Sequence, residues 1–183
     1  MSAARQNDQR SGSPLASAEA FGQLYEGTHL LVFRYIFGLH GGPKETVEDL
    51  TAETFMRAWN ARRRFGGSRD AAVGWLLRIA RNLVIDAIRK EKFRGVPLDL
   101  DSMIVADPGQ PPEAMALLHE QFSELWQAMQ ALPAERREML VLRYMLGWRV
   151  NEIAQHLEMA ENTVSQTIRR TLQKIQADLE DAA

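Results

Sequence analysis

Between Arg57 and Arg94 lie eleven of the chain's 22 basic residues: Arg57, Arg62, Arg63, Arg64, Arg69, Arg78, Arg81, Arg89, Lys90, Lys92 and Arg94. Only Asp70, Asp86 and Glu91 oppose them in that stretch. Lysine and arginine at this density can displace counterions from phosphates, which is how a protein binds a polyanion. A charge run is by default a solvated face, but Phe65 and Trp75 are interleaved with this one, and rings among cations suit nucleic acid better than bare solvent. The formal net charge of -2 hides the asymmetry, because 57–94 carries an excess of eight positive charges and the rest an excess of ten negative ones. Residues 95–133 hold no Lys or Arg, while Asp99, Asp101, Asp107, Glu113, Glu120 and Glu124 make them acidic.

A second constellation lies in Val150 to Ile175. A short apolar stripe of Ile153, Ala154 and Leu157, a break at Glu158 to Glu161, and a longer stripe of Val164, Ile168, Leu172 and Ile175 have the layout of a helix-turn-helix. That leaves Ser165, Gln166, Arg169, Arg170 and Gln173 outward. Gln and Ser can hydrogen-bond base edges, Arg can pair with guanine or phosphate, and a helix N-terminus attracts phosphate. A helical hairpin packed for stability alone would also place polar residues outside, so this spacing by itself leaves both readings open.

Other chemistries lack their residues. With no cysteine in the chain, disulfides, thiolate metal sites and cysteine nucleophiles are excluded. His29, His40, His119 and His156 show no metal-ligand spacing, and no phosphate loop or nucleophile–base pair is present. The expectation is a protein with no cofactor, no metal and no catalytic chemistry of its own. Met1 to Pro14 is polar, and no apolar run approaches the roughly 18 residues that span a bilayer. A cytoplasmic protein without membrane insertion is expected.

The elements that must position these groups read as all-α, in two small helical domains joined by a flexible acidic linker. The length of 183 residues and the 45% hydrophobic content fit two modules of roughly 70 to 80 residues each. Residues 1–16 are predicted as a disordered tail. A first helix spans Ser17 to Phe37, with Phe21, Leu24, Tyr25, Leu31, Val32 and Tyr35 in its stripe, and Gly38 breaks it. A second runs from Lys44 to about Arg64, with Val47, Leu50, Phe55 and Ala58 inward and Asp49, Glu53 and Arg57 stacked on another face. The third carries the longest stripe, from Val73 to Ile88, with Ser68 or Asp70 available as its cap. Prolines, glycines and acids then mark 95–112 as the linker. The second domain, 113–183, starts with a fourth helix whose stripe is Met115, Leu118, Phe122, Leu125, Trp126, Met129 and Leu132. Pro133 suits the first turn of a fifth, which carries Leu140, Leu142, Tyr144 and Met145 and stops near Gly147.

With these residues in place the sequence resembles the bacterial extracytoplasmic-function sigma factors of the sigma-70 family, over roughly residues 20 to 175. The resemblance is carried by Asp49-Leu50-Thr51-Ala52-Glu53-Thr54-Phe55 with Ala58-Trp59, and by Trp75-Leu76-Leu77-Arg78-Ile79-Ala80-Arg81-Asn82-Leu83 with Asp86 and Arg89. A third stretch runs from Leu132-Pro133 through Leu142-Arg143-Tyr144 and Gly147 to Glu152-Ile153-Ala154, Thr163-Val164 and Arg170. It implies region 2 over 17–94 and region 4 over 113–183, in a subunit that binds core RNA polymerase, directs it to promoters and assists melting.

Carried over residue by residue, the resemblance makes Asp49 and Glu53 polar contacts to core polymerase, with Phe55 and Trp59 as packing support. Phe65, Arg69, Arg78, Asn82 and Arg89 become the minus-ten set, Phe65 as an exposed ring. Capturing an extruded base costs a few kcal/mol of stacking, which such groups must offset. Trp75, at helical spacing, counts first as core, and Asp86 as a structural partner for a nearby arginine. Asn162, Thr163, Ser165, Gln166, Arg169 and Arg170 would face the minus-thirty-five element. The chain departs from the family at Ala52, where Gln is common, at Glu158, where Gly is common, and at Thr167, where a basic residue is frequent. A non-glycine residue in a left-handed turn costs about 1 kcal/mol. The linker composition fits both a segment threading the polymerase and a plain spacer. An anti-sigma factor is the further partner implied. A stand-alone helix-turn-helix regulator is the competing reading, and the basic stretch outside that motif argues against it.

Overall fold

Ser17 starts the first helix, its Oγ accepting a hydrogen bond from the Ala20 amide at 3.1 Å, which satisfies one of the unpaired N–H groups of the first turn. The computed structural model describes residues 13–94 and 123–182. Helix α1 covers Ala18–His40 and runs straight through Gly38. That glycine is a packing residue, since a Cβ there would lie 2.6 Å from Met145 Sδ and 2.7 Å from Val141 Cγ2. The helix stops one turn later at Gly41, whose φ of 68° is left-handed and whose N–H caps the Phe37 carbonyl at 3.0 Å.

Helix α2 covers Lys44–Ala61 and tightens into a 3-10 turn over Arg62–Arg64. Helix α3 covers Ala72–Arg94, and the turn before it is closed by Ser68, whose carbonyl and Oγ both accept from the Ala71 amide. These helices pack Phe21, Val32, Ile36, Val47, Phe55, Ala58, Leu76, Leu77, Ala80 and Val84 into one core. Within the stretch 1–16 expected as a disordered tail, residues 13–16 are placed. Leu15 is 1% exposed in that core and Arg62 Nε donates to the Ala16 carbonyl, so the chain is held from Ser13 on, while residues 1–12 lie outside those described.

In the second domain, α4 is described over 123–131, α5 covers Ala134–Leu140, α6 Val150–Leu157 and α7 Glu161–Ala182. Pro133 caps α5 from outside rather than opening its first turn. At its end α5 widens into a π turn over Val141–Met145, where the Leu146 amide donates to the Val141 carbonyl. That extra residue rotates the following side chains, and Tyr144 and Met145, which the expected fifth helix carries, are exposed. Leu125 is also outside, because its neighbour Trp126 takes the inward position. On α7 the buried stripe is Val164, Ile168, Thr171 and Ile175, a 4-3-4 spacing that leaves Leu172 38% exposed. Thr171 tolerates burial because its Oγ1 donates to the Thr167 carbonyl at 2.7 Å. Met115, Leu118, Phe122 and the 95–112 linker fall outside the described residues.

The two domains share a face. The C-terminal half of α1 lies against α5 and the π turn, and Trp126 covers Gly41 so closely that a Cβ there would come within 1.8 Å of its ring. Arg137, 7% exposed, donates to the carbonyls of Leu39 at 2.7 Å, Gln130 at 2.8 Å and Leu132 at 3.2 Å. One arginine thereby closes three carbonyls that have left helical pairing.

Candidate nucleic-acid interface

Along α3, Arg78, Asn82 and Arg89 are exposed at steps of four and seven, which places them on one face of the helix. Arg89 lies 3.7 Å from Asp86, the structural pairing expected for that acid. Arg69, in the loop before α3, donates to Gln23 Oε1 at 3.1 Å, so the loop is tied to α1. Phe65 differs from expectation. It is only 9% exposed, with its ring 4.8 Å from Trp75 at 35°. The Arg62–Arg64 turn folds the loop back, and the ring gains more from packing on the half-buried Trp75 than from standing in water. Phe65 and Trp75 instead wall a cleft of about 750 Å³, opposite Trp148 and His156, with Arg78 at its edge.

On α2, Asp49 is exposed and Glu53 accepts from Arg57 Nε at 2.7 Å. Phe55 is 5% exposed and meets Tyr25 edge-on at 4.8 Å, so it supports the face from beneath. Trp59 is split between core and surface. Its ring packs edge-on against Phe21 at 5.3 Å, and the Arg62 guanidinium stacks over it at 3.3 Å. Met56, 59% exposed, shares the outer face with Asp49, Glu53 and Asn60 at steps of four, three and four. Sequence reading passed over it because an apolar residue outside a stripe carries no periodic signal.

Asn162, Thr163, Ser165, Gln166, Arg169 and Arg170 are all exposed near the start of α7, and Gln166 Nε2 donates to Asn162 Oδ1 at 3.3 Å. The turn that aims this helix does carry a left-handed non-glycine residue: Glu158 has φ 57° and ψ 41°. The Met159 amide donates to the Ala154 carbonyl at 2.9 Å, closing the end of α6. Glu152 accepts from the Arg149 amide at 2.6 Å at the other end of α6.

A cluster of four groups that sequence reading missed lies between the domains. The Glu138 carboxylate, on α5 and 1% exposed, accepts from Tyr35 Oη and from Arg81 Nε, each at 2.6 Å, and His156 Nε2 stands 3.8 Å away. Burial pushes its pKa up, but His156, Tyr35 and Arg81 outweigh that and hold it below the ordinary carboxylate value. Burial, reinforced by Glu138, raises the Tyr35 phenol well above its own. These partners lie 103 and 57 positions from Glu138, so no local pattern announces them. A cleft of about 390 Å³ beside them has Arg78, Arg81 and Asn82 on one wall and Glu135, Glu138 and Glu158 on the other.

Among the described residues no helix is long and apolar enough to cross a membrane, and no group of three or more His, Asp or Glu is placed to hold a metal ion. Residues 24–94 match the family model for Sigma-70 region 2, and residues 122–175 that for Sigma-70, region 4. The chain is 30% identical over 171 residues to the ECF RNA polymerase sigma factor SigL of Mycobacterium tuberculosis, covering 93% of this chain and 95% of that one. It is likewise 30% identical over 167 residues to SigX of Bacillus subtilis, covering 88% and 84%. Two solved structures share the fold. One is the sigma factor RpoE of Bartonella quintana in complex with the anti-sigma factor NepR, with TM-score 0.65 and 21% identity over 89% of this chain and 98% of that one. The other is CnrH in complex with the cytosolic domain of CnrY, with TM-score 0.62 and 24% identity over 91% and 92%.

Proposed function

Because the chain belongs to the sigma-70 family, as an extracytoplasmic-function RNA polymerase sigma factor for transcription initiation, we propose that it divides the work of promoter recognition between its α3 and α7 faces. Arg69, Arg78, Asn82 and Arg89 hold the non-template strand of the minus-ten element. Phe65 and Trp75, stacked on each other, form the wall against which an extruded base rests. Asn162, Thr163, Ser165, Gln166, Arg169 and Arg170 read the duplex minus-thirty-five element. Asp49 and Glu53 dock on core polymerase over the support of Phe55 and Trp59, with Met56 as an added apolar contact. The partners are core polymerase, promoter DNA and an anti-sigma factor of the kind bound to the two structural relatives, and the protein works in the cytoplasm.

The observation that carries this reading is the row of exposed Arg78, Asn82 and Arg89 beside an aromatic-walled cleft on the same helix. Transcription with purified core polymerase on a promoter library tests it. The protein is expected to confer promoter-dependent initiation. Asn82→Ala and Arg169→Ala should each lower it about 5- to 150-fold, the range of one good base contact worth about 1–3 kcal/mol. Absence of promoter-dependent initiation together with failure to co-purify with core enzyme overturns the reading. A nanomolar shift of duplex DNA by the protein alone would favour a stand-alone regulator.

A further inference from the structure

Phe65 and Trp75 of the first domain and Trp148 of the second line one cleft of about 750 Å³. Each ring is held by a neighbour. Phe65 and Trp75 pack on each other at 4.8 Å, and Trp148 meets the His156 ring edge-on at 5.3 Å and 84°. His156 is itself tied, its side chain 4% exposed and its Nε2 3.8 Å from Glu138. The backbone of Trp148 is fixed on both sides, its amide donating to the Leu142 carbonyl and its carbonyl accepting from Arg143 Nη1, each at 2.9 Å. Small-molecule sites are concave spaces of roughly 300–1,000 Å³ with apolar and aromatic walls and a few convergent polar groups. This cleft has that make-up.

The charges in its lining select among ligands. Asp70, from the loop before α3, and Glu152, from α6, both line the cleft. Asp70 is exposed and makes no ion pair among the described residues. One oxygen of Glu152 accepts from the Arg149 amide, a neutral donor that leaves the negative charge uncancelled. Arg78 opposes them in the lining, yet its guanidinium already meets Glu158, a residue outside that lining, at 3.5 Å. The faces of aromatic rings are themselves negative and attract cations. Rings and carboxylates therefore favour the same kind of guest, whereas an anion would have to compete with Glu158 for Arg78.

We propose that this cleft is a binding site for a small planar aromatic cation, its ring system lying against Trp75 and Trp148 and its ammonium group toward Asp70 and Glu152. The site stands apart from promoter reading. One consequence does rest on the role proposed above for Phe65 and Trp75 as the wall behind an extruded base, since ligand and base would then exclude each other.

Calorimetric titration of the full chain with three probes of similar shape tests the site: 2-naphthylmethylammonium, 2-naphthylmethanol and 2-naphthylacetate. The ammonium should bind at one site per chain, the alcohol more weakly, and the carboxylate most weakly. Asp70→Asn and Glu152→Gln should each weaken the ammonium about 2- to 5-fold, the scale of one exposed ion pair, and leave the alcohol unchanged. Glutamine at 152 can still accept from the Arg149 amide, and both positions are exposed, so neither change threatens the fold. Trp148→Leu should weaken ammonium and alcohol alike, the ammonium by about 2- to 30-fold. Absence of saturable ammonium binding at millimolar concentration, tighter binding of the carboxylate, or an ammonium affinity that neither Asp70→Asn nor Glu152→Gln moves overturns the site. In a parallel titration, saturating ammonium probe should lower the affinity for short random single-stranded DNA. Probe binding with unaltered strand affinity would remove the base-backing role of Phe65 and Trp75 and leave the ligand site standing.

Discussion

His40 shows how one buried ring can be tied to a single protonation state. Its Nδ1 accepts from the Gly42 amide at 3.0 Å, so the ring proton sits on Nε2, 3.3 Å from Glu91 Oε1 at the far end of α3. Burial lowers its pKa, Glu91 partly restores it, and Arg137 lowers it again. The folded ring therefore resists a proton that the unfolded chain accepts near the ordinary value of 6.5. The unfolded state binds more protons between that value and the depressed folded one, so stability is whole above about pH 6.5 and falls as pH drops through that window. Urea midpoints at pH 7.5 and 5.5 should show this loss, and His40→Asn, which can still accept from Gly42, should flatten it. Glu158 offers a second residue-scale test. Its left-handed backbone suits glycine, so Glu158→Gly should stabilise by up to about 1 kcal/mol, or roughly 2–4 °C in thermal midpoint.

At the scale of elements, the helices were legible in sequence wherever one face meets one core. The stripe of α3 is buried as its periodicity indicates, with Leu76, Leu77, Ala80, Leu83 and Val84 all inside. Legibility failed where geometry departs from the regular 3.6 repeat or a glycine packs instead of turning. Gly38 reads as a breaker but sits within α1, and the π turn hides the exposure of Tyr144 and Met145 from any α-helical count. On α7 a leucine is the obvious core residue, yet Thr171 holds the inward position. Ile168→Ala should accordingly lower unfolding free energy by about 2–5 kcal/mol. Leu172→Ala should change it by less than about 1 kcal/mol in the same denaturant titration. The exposure of the candidate residues on α3 and α7 was legible because solvent-facing positions follow from the same stripes. Phe65 was not, since nothing local distinguishes a ring that stands in solvent from one that folds back onto Trp75.

Across the whole molecule, what the sequence could not disclose is the meeting of the domains. Tyr35, Arg81, Glu138 and His156 come from four helices, and each is unremarkable in its own segment. With the domains sharing buried contacts, thermal unfolding should be a single transition in the parent. Glu138→Ala should split it into two, read by calorimetry, because each domain then melts by its own stability. Acid should have the same effect. The folded Glu138 carboxyl sits below its ordinary value, so its contribution is present above that value and disappears as pH falls through the folded one.

The widened turn at Val141–Met145 sits between the helix that touches the first domain and the helix-turn-helix pair α6 and α7. A helix advances about 100° per residue, so losing a single codon there would restore ordinary winding and swing α6 and α7 around by roughly that angle. Arg169 and Gln166, proposed above as base contacts, would then point along another bearing even though every amino acid of α7 was unaltered. The turn works as an angular spacer, whose length sets a direction.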